Sequence, residues 1–145
     1  MNQDRNENID PDLNVEILSD DQDVYNCKYF SVESFKKHKE KFYVNGLSVV
    51  CFNMRSSGKN LDEFIGYLSN CEHSFDIIVL TETWAKNETQ ALCHIPGFNS
   101  THNFRTEKQG GGVSIFVKDS INFDVIDNLN ISSEYIESAA VSISV

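Results

Sequence analysis

No stretch of this sequence approaches the roughly 18 to 20 consecutive apolar residues that span a bilayer. Its first residues also lack the basic start and apolar core of a secretion signal. The expectation is an intracellular, soluble protein with no membrane partner, nuclear or cytoplasmic being left open. The glycosylation-like triplets Asn87-Glu-Thr, Asn99-Ser-Thr and Asn130-Ile-Ser then carry no weight. Cysteine is sparse and scattered: Cys27, Cys51, Cys71 and Cys93 form no C-x-x-C pair, which argues against a zinc site or a disulfide framework. They read as reduced thiols serving as small hydrophobes. Basic residues are few, with 12 Lys and Arg against 22 Asp and Glu and a net charge of −10. Because phosphate binding rests on Lys and Arg displacing counterions, such a balance argues against strong autonomous affinity for nucleic acid. Lys36, Lys37, Lys39 and Lys41 are the one basic cluster, and they read mostly as a solvated helix face.

What is present suffices for one domain: 145 residues, 40% of them hydrophobic. The acidity is uneven. Residues 1–24 hold eight acids and only Arg5 as a base, net −7, whereas residues 25–145 carry net −3. With so much like charge and so few large apolar side chains, residues 1–24 cannot offset the entropy of ordering and read as a disordered acidic leader.

Beyond the leader, Ser31 is placed to cap a short helix, with Phe30 and Phe35 spaced as a hydrophobic staple. Leu47 to Arg55, with Val49, Val50, Cys51 and Phe52 in a row, reads as a buried strand ending in Asn53 and Arg55. Leu61, Phe64, Ile65 and Leu68 fall at the i, i+3, i+4, i+7 spacing of one helix face, with Asn60 and Glu63 as a capping pair. Ile77 to Leu80 is a second run apolar enough for a strand covered on both faces, and it stops in Thr81-Glu82-Thr83-Trp84. Strand, helix and strand in some 35 residues imply a right-handed crossover and parallel strands. Their carboxyl ends then share one rim, which is where open α/β sheets place ligands, and Asn53 and Glu82 arrive there together. Further on, His94 to Gln109 reads as turn-rich and polar. Gly110 to Asp119 reads as a half-buried strand, with Val113, Ile115 and Val117 on one face and Ser114, Phe116 and Lys118 on the other. A last alternating run, Ala139 to Val145, reads as another strand.

The order of Asn53-Met-Arg55, Thr81-Glu82-Thr83-Trp84 and Gly110-Gly-Gly-Val-Ser-Ile-Phe-Val117 resembles the apurinic-type endonuclease domain of non-LTR retrotransposons, within the endonuclease/exonuclease/phosphatase superfamily. The resemblance covers about residues 42–145. It implies an α/β fold, a partial four-layer α/β sandwich, in residues 25–145 and a reaction class, magnesium- or manganese-dependent nicking of target DNA. By the same resemblance Glu82 is the metal-binding carboxylate and Asn53 an active-site amide that helps hold metal and phosphate. Magnesium suits such a pair, since it takes oxygen ligands, keeps several waters and needs only one or two carboxylates. Arg55 and Arg105 are weaker candidates for contact with the DNA backbone, each with a bland alternative in an ion pair or a solvated loop. Trp84 and Thr83 read as packing and loop-capping residues, the three glycines as backbone freedom for a tight turn. Glu137 resembles a recurrent acid of the family with a structural part.

The family's later elements, a G-D-x-N motif and an S-D-H motif that supply the base and orienting groups, do not occur in these residues. The D-x-N triplet Asp12-Leu13-Asn14, like Asp4-Arg5-Asn6, lies ahead of the first strand, and His38, His73, His94 and His102 read as surface histidines. The expectation is therefore the N-terminal half of a catalytic domain, inactive by itself. An uncovered sheet face and open strand edges would favour self-association. The competing reading is a non-catalytic half-domain that works as a protein-binding module.

Overall fold

The computed structural model describes residues 14–17, 25–28, 30–39, 46–86, 89, 93–105 and 110–144. Two strands, β1 (Asn14–Ile17) and β2 (Tyr25–Lys28), pair antiparallel. Strand β1 falls within residues 1–24, the segment read as a disordered acidic leader. The alternation of polar and β-branched residues in Asn14-Val-Glu-Ile17 is the local pattern that permits it. The rest of residues 1–24 lies outside the described residues.

Helix α1 (Val32–His38) begins as its sequence predicts: the Ser31 hydroxyl accepts the Ser34 N–H at 3.1 Å. Phe30 meets the His38 ring, and Phe35 stacks on Phe75. Lys36 pairs with Glu72 at 3.0 Å, which ties the helix to the turn before the second strand of the crossover.

The centre of the molecule is a four-stranded mixed sheet in the order β3-β4-β6-β5, made of β3 (Val49–Asn53), β4 (Ile77–Thr81), β6 (Val113–Lys118) and β5 (Phe98–Asn103). Strands β3 and β4 are parallel, as the crossover demands, and the other pairs are antiparallel. At the amino end of β4, Asp76 Oδ2 accepts the Ser48 N–H and hydroxyl at 2.9 and 2.7 Å. That clasp fixes the register, and the register sets Asn53 opposite Thr81.

Helix α2 (Ser57–Asn70) supplies the crossover. Its predicted face is the one buried: Leu61 and Phe64 are in the core with Ile65 and Leu68 packed beside them. Burying Leu61 and Phe64 contributes on the order of 1.5–3 kcal/mol each. The predicted cap is displaced by one turn. The helix starts at Ser57, so Asn60 lies in its first turn and donates backward through Nδ2 to the carbonyls of Met54 (2.7 Å) and Arg55 (3.3 Å). Asn60 thus closes the loop that leads into the helix.

The sheet has a core on each face. On the α2 side, Met54, Leu61, Phe64, Ile78, Leu80, Cys93, Ile95 and Phe116 pack together. On the other side, Ile77, Ile115 and Val117 are covered by Phe123, Ala139, Val141 and Ile143. The covering pair is a second small antiparallel sheet, β7 (Phe123–Val125) with β8 (Val141–Ile143).

This layering reverses two expectations. Strand β6 is central and covered on both faces, with Ser114 to Val117 all buried, so its alternation marks two cores rather than a core and a solvent face. Strand β3 is an edge and is open: Val49, Cys51 and Phe52 are all exposed, and the core under β7 and β8 takes in residues of β4 and β6 but none of β3. Residues 98–103, read from composition as a polar turn region, form β5 instead. An edge strand paired on one side draws its stability from the backbone ladder and needs few apolar side chains. Of the cysteines, Cys71 and Cys93 are buried free thiols, as expected, whereas Cys51 is exposed.

His102, read as a surface histidine, also differs. Its pairing with Ser114 across β5 and β6 draws the ring inward, where Nδ1 and Nε2 lie 2.8 and 2.9 Å from the hydroxyls of Ser114 and Ser100. The ring is stacked on Phe104 and edge-on to Phe116. Burial lowers its pKa from the usual 6.5. The unfolded chain therefore binds a proton that the folded ring resists, so the stability held above pH 6.5 is lost as pH falls through the lowered folded value. Urea midpoints at pH 7.5 and 5.5 should drop with acidification, and His102→Asn should lessen the drop. An equal drop in both proteins would exclude this residue as a source; His73, also lowered chiefly by burial, supplies a remainder of the same sign.

Candidate functional site

The rim at the carboxyl ends of β3 and β4 is built by three segments zipped together beyond the strands. The N–H groups of Met54, Ser56 and Ser57 donate to the carbonyls of Thr81, Glu82 and Thr83 at 2.9, 2.9 and 2.7 Å. On the other flank, Thr83 and Trp84 donate to Gly112 (3.3 Å) and Gly111 (2.9 Å). Thr81 to Trp84 is thereby held as a strip between the loop entering α2 and the glycine approach to β6.

The strip carries unusual backbone. Glu82 and Trp84 have φ of 52° and 53°, and across the ladder Arg55 and Ser56 have 45° and 97°. Non-glycine residues avoid this region, and each such conformation costs roughly 1–3 kcal/mol, so it persists only where its surroundings impose it. Of the five such residues among those described, these four share one rim; the other is Glu72. Gly110, Gly111 and Gly112 also have positive φ. Here freedom of φ is only part of the reason for glycine. A Cβ on Gly111 would lie 2.8 Å from a Glu137 carboxylate oxygen, and one on Gly112 would lie 2.5 Å from Thr83 Oγ1. The glycine run is what lets two acids and a buried threonine approach the chain closely.

Glu82 is half-buried, and its Oε2 accepts the Trp84 indole N–H at 2.9 Å and the Gly111 N–H at 3.0 Å. Its Oε1 accepts no hydrogen bond from the described residues. The Trp84 bond first, then the Gly111 amide, hold the carboxyl below its ordinary pKa against the opposing effect of burial, with help from the positive charge of Arg105. The group is a fixed anion across the physiological range. Arg105 donates through Nε to Glu137, whose side chain is 9% exposed. Gly111 lies between the two acids in contact terms, its N–H bonded to Glu82 and its Cβ position close to Glu137.

Asn53, at the end of β3, is exposed and paired in register with Thr81, one residue before Glu82. Strand alternation sets its side chain on the face opposite Phe52, which packs against Phe64 and Tyr67 of α2. Arg55 is exposed and makes no ion pair with a described residue. With Asn53, Asn60, Glu63 and Tyr67 it lines a groove of about 350 Å³ between β3 and α2. Thr83 is 1% exposed, so it packs rather than faces a ligand. Trp84 does more than close the loop, because it holds Glu82. No pattern in the sequence announced that bond; only the left-handed turn at Glu82 and Trp84 brings the indole back onto the carboxylate two residues earlier. Likewise, the Arg105 and Glu137 pairing across 32 positions could be found only in the folded chain.

No protein-family model matches this chain, and it has no significant match among curated proteins.

Proposed function

We propose that this chain carries the metal- and phosphate-facing half of an endonuclease/exonuclease/phosphatase-type DNA endonuclease, of the kind found in non-LTR retrotransposons, as its motifs resemble. The observation that supports it most is the Glu82 carboxylate, held by two N–H donors at a strained rim beside the end of a parallel neighbouring strand. Strain and a fixed anion gathered at a sheet's carboxyl edge suit a ligand site better than a solvated strand end. A mixed sheet with a helix layer on one face and the start of a second sheet on the other agrees with part of a four-layer sandwich.

In this reading the two donors would serve one hard cation that keeps most of its water. Glu82 offers a carboxylate oxygen, and Asn53, in register with Thr81 on the neighbouring strand, a neutral amide. That set suits magnesium or manganese better than the closed cage of structural zinc. When bound, such an ion polarises a phosphoryl oxygen and steadies a departing one. Glu82 would hold it, and Asn53 would orient the phosphate without adding repulsive charge. Arg55, unpaired among the described residues, is a cation at this rim that could meet the DNA backbone. Arg105 is committed to Glu137 and serves the scaffold first.

No G-D-x-N or S-D-H element occurs among these residues, so in this reading they do not include the groups that supply the family's base for the attacking water. General acid–base help is worth about 10² to 10⁴-fold, so the 145-residue chain should leave supercoiled plasmid intact with magnesium at times when a complete enzyme has nicked it. Nicking abolished by Glu82→Gln would refute the inactivity while upholding the site. Nicking that survives Glu82→Gln would refute the site itself.

The exposed edge of β3, with Val49 and Phe52 on its two faces, favours a second reading, a half-domain that acts by pairing with another copy or with a protein partner. Retention on DNA that falls steeply with salt favours the first reading. Salt-insensitive association of the chain with itself favours the second.

A further inference from the structure

Sequence position gives Trp84 no part in chemistry: it is the only tryptophan, 38% exposed, two residues past the acid on which the proposed site depends. The geometry gives it one. A carboxylate that is to bind a cation must present an oxygen in a fixed direction, and a glutamate side chain has three torsions by which to lose it. Here Oε2 is held from two sides, by the Trp84 indole at 2.9 Å and by the Gly111 amide at 3.0 Å. The two donors belong to segments that are themselves bonded, Trp84 N–H to the Gly111 carbonyl at 2.9 Å. Indole, amide and carboxylate thus close a ring of contacts in which only Oε1 is left without a partner among the described residues. Gly110 lies beside the ring: a Cβ there would be in ordinary contact with the indole nitrogen at 3.7 Å and Oε2 at 3.8 Å, so it is its φ of +99° rather than lack of space that favours glycine.

We propose that Trp84 is the positioning residue of the Glu82 carboxylate: its indole N–H and the Gly111 amide pin one oxygen and direct the other at a divalent cation. This rests on the reading of Glu82 as a cation ligand. The indole is a donor only, so it can hold the anionic oxygen and cannot compete for the metal. Partners that orient a ligand in this way are typically worth 10- to 100-fold in metal affinity.

The test uses the full 145-residue chain and two divalent ions as probes. Free manganese is followed by its electron paramagnetic resonance signal in wild type, Trp84→Phe and Glu82→Gln, with thermal unfolding recorded for each. Wild type should bind, Glu82→Gln should not, and Trp84→Phe should bind about tenfold or more weakly while melting within a few degrees of wild type. With one tryptophan, the ¹⁵N-labelled chain gives a single indole N–H cross-peak. Adding magnesium should move that peak in wild type and leave it in place in Glu82→Gln, a readout that does not depend on Trp84→Phe folding. If Trp84→Phe binds manganese as tightly as wild type, or wild type binds it while the indole peak ignores magnesium, the positioning role is wrong and the cation site survives. If wild type binds no better than Glu82→Gln, the cation site and the positioning role fall together.

Discussion

Gly112→Ala should cost the fold about 2–5 kcal/mol, a large share of the roughly 5–15 kcal/mol typical of a domain. Two effects add. The residue sits at φ +87°, where an L side chain is strained by about 1–2 kcal/mol. Its new Cβ would stand 2.5 Å from Thr83 Oγ1, and Thr83, only 1% exposed, has no open space to retreat into; overpacking of this kind costs about 1–3 kcal/mol. The two parts can be separated. Thr83→Ala removes the clashing oxygen, which has no hydrogen-bond partner among the described residues, so the double variant should recover the packing share and keep the backbone share. Urea unfolding of the four proteins in the cycle measures this. Gly112→Ala within about 0.5 kcal/mol of wild type, or strict additivity in the cycle, would show that the glycine approach is not as tight as described.

Phe116→Ala should lose about 3–5 kcal/mol, whereas Val49→Ala should lose less than about 0.5. Phe116 is fully buried at the centre of the helix-side core and meets the His102 ring edge-on, so its removal leaves a cavity that neighbours on two elements would have to fill. Val49 is 56% exposed on the open edge strand. The contrast is informative because residue patterns suggest the opposite ranking: Val49 stands in an unbroken apolar run, Phe116 in an alternating one. Equal losses on urea unfolding would mean that β3 is covered in solution by something other than the described residues, a second copy being the first to test by repeating the measurement at several protein concentrations.

That inversion shows where local pattern stops carrying information. Alternation along residues 113–118 correctly sorted Val113, Ile115 and Val117 from Ser114 and Phe116, but whether a face meets water or a second layer depends on β7 and β8, whose pairing joins Phe123 to Ile143 across 20 positions. Continuity along residues 49–52 was equally silent about sheet order, since the place of β3 at the edge follows from β6 adding to the far side of β4. β5 went unseen because its ladder to β6 is a backbone matter and its side chains are polar. The cap of α2 lies one turn earlier than its sequence signal because Ser56, whose carbonyl accepts the Lys59 and Asn60 N–H groups, is fixed by its own N–H bonding to the Glu82 carbonyl across the rim, a contact no helix signal encodes.

The residues by themselves determined the two things nearest to function: the α2 face, through 3.6-residue periodicity, and the delivery of Asn53 and Glu82 to one rim, because a right-handed crossover of this length makes strands parallel. Only the folded chain decided how that rim is held. The turn at Glu82 and Trp84, the bonds from the indole and Gly111 to one carboxylate oxygen, and the Arg105 and Glu137 brace join positions 2 to 32 residues apart. Such contacts are selected by three-dimensional closure of the sheet, in which every donor must find its acceptor at once, rather than by any preference a short segment expresses alone.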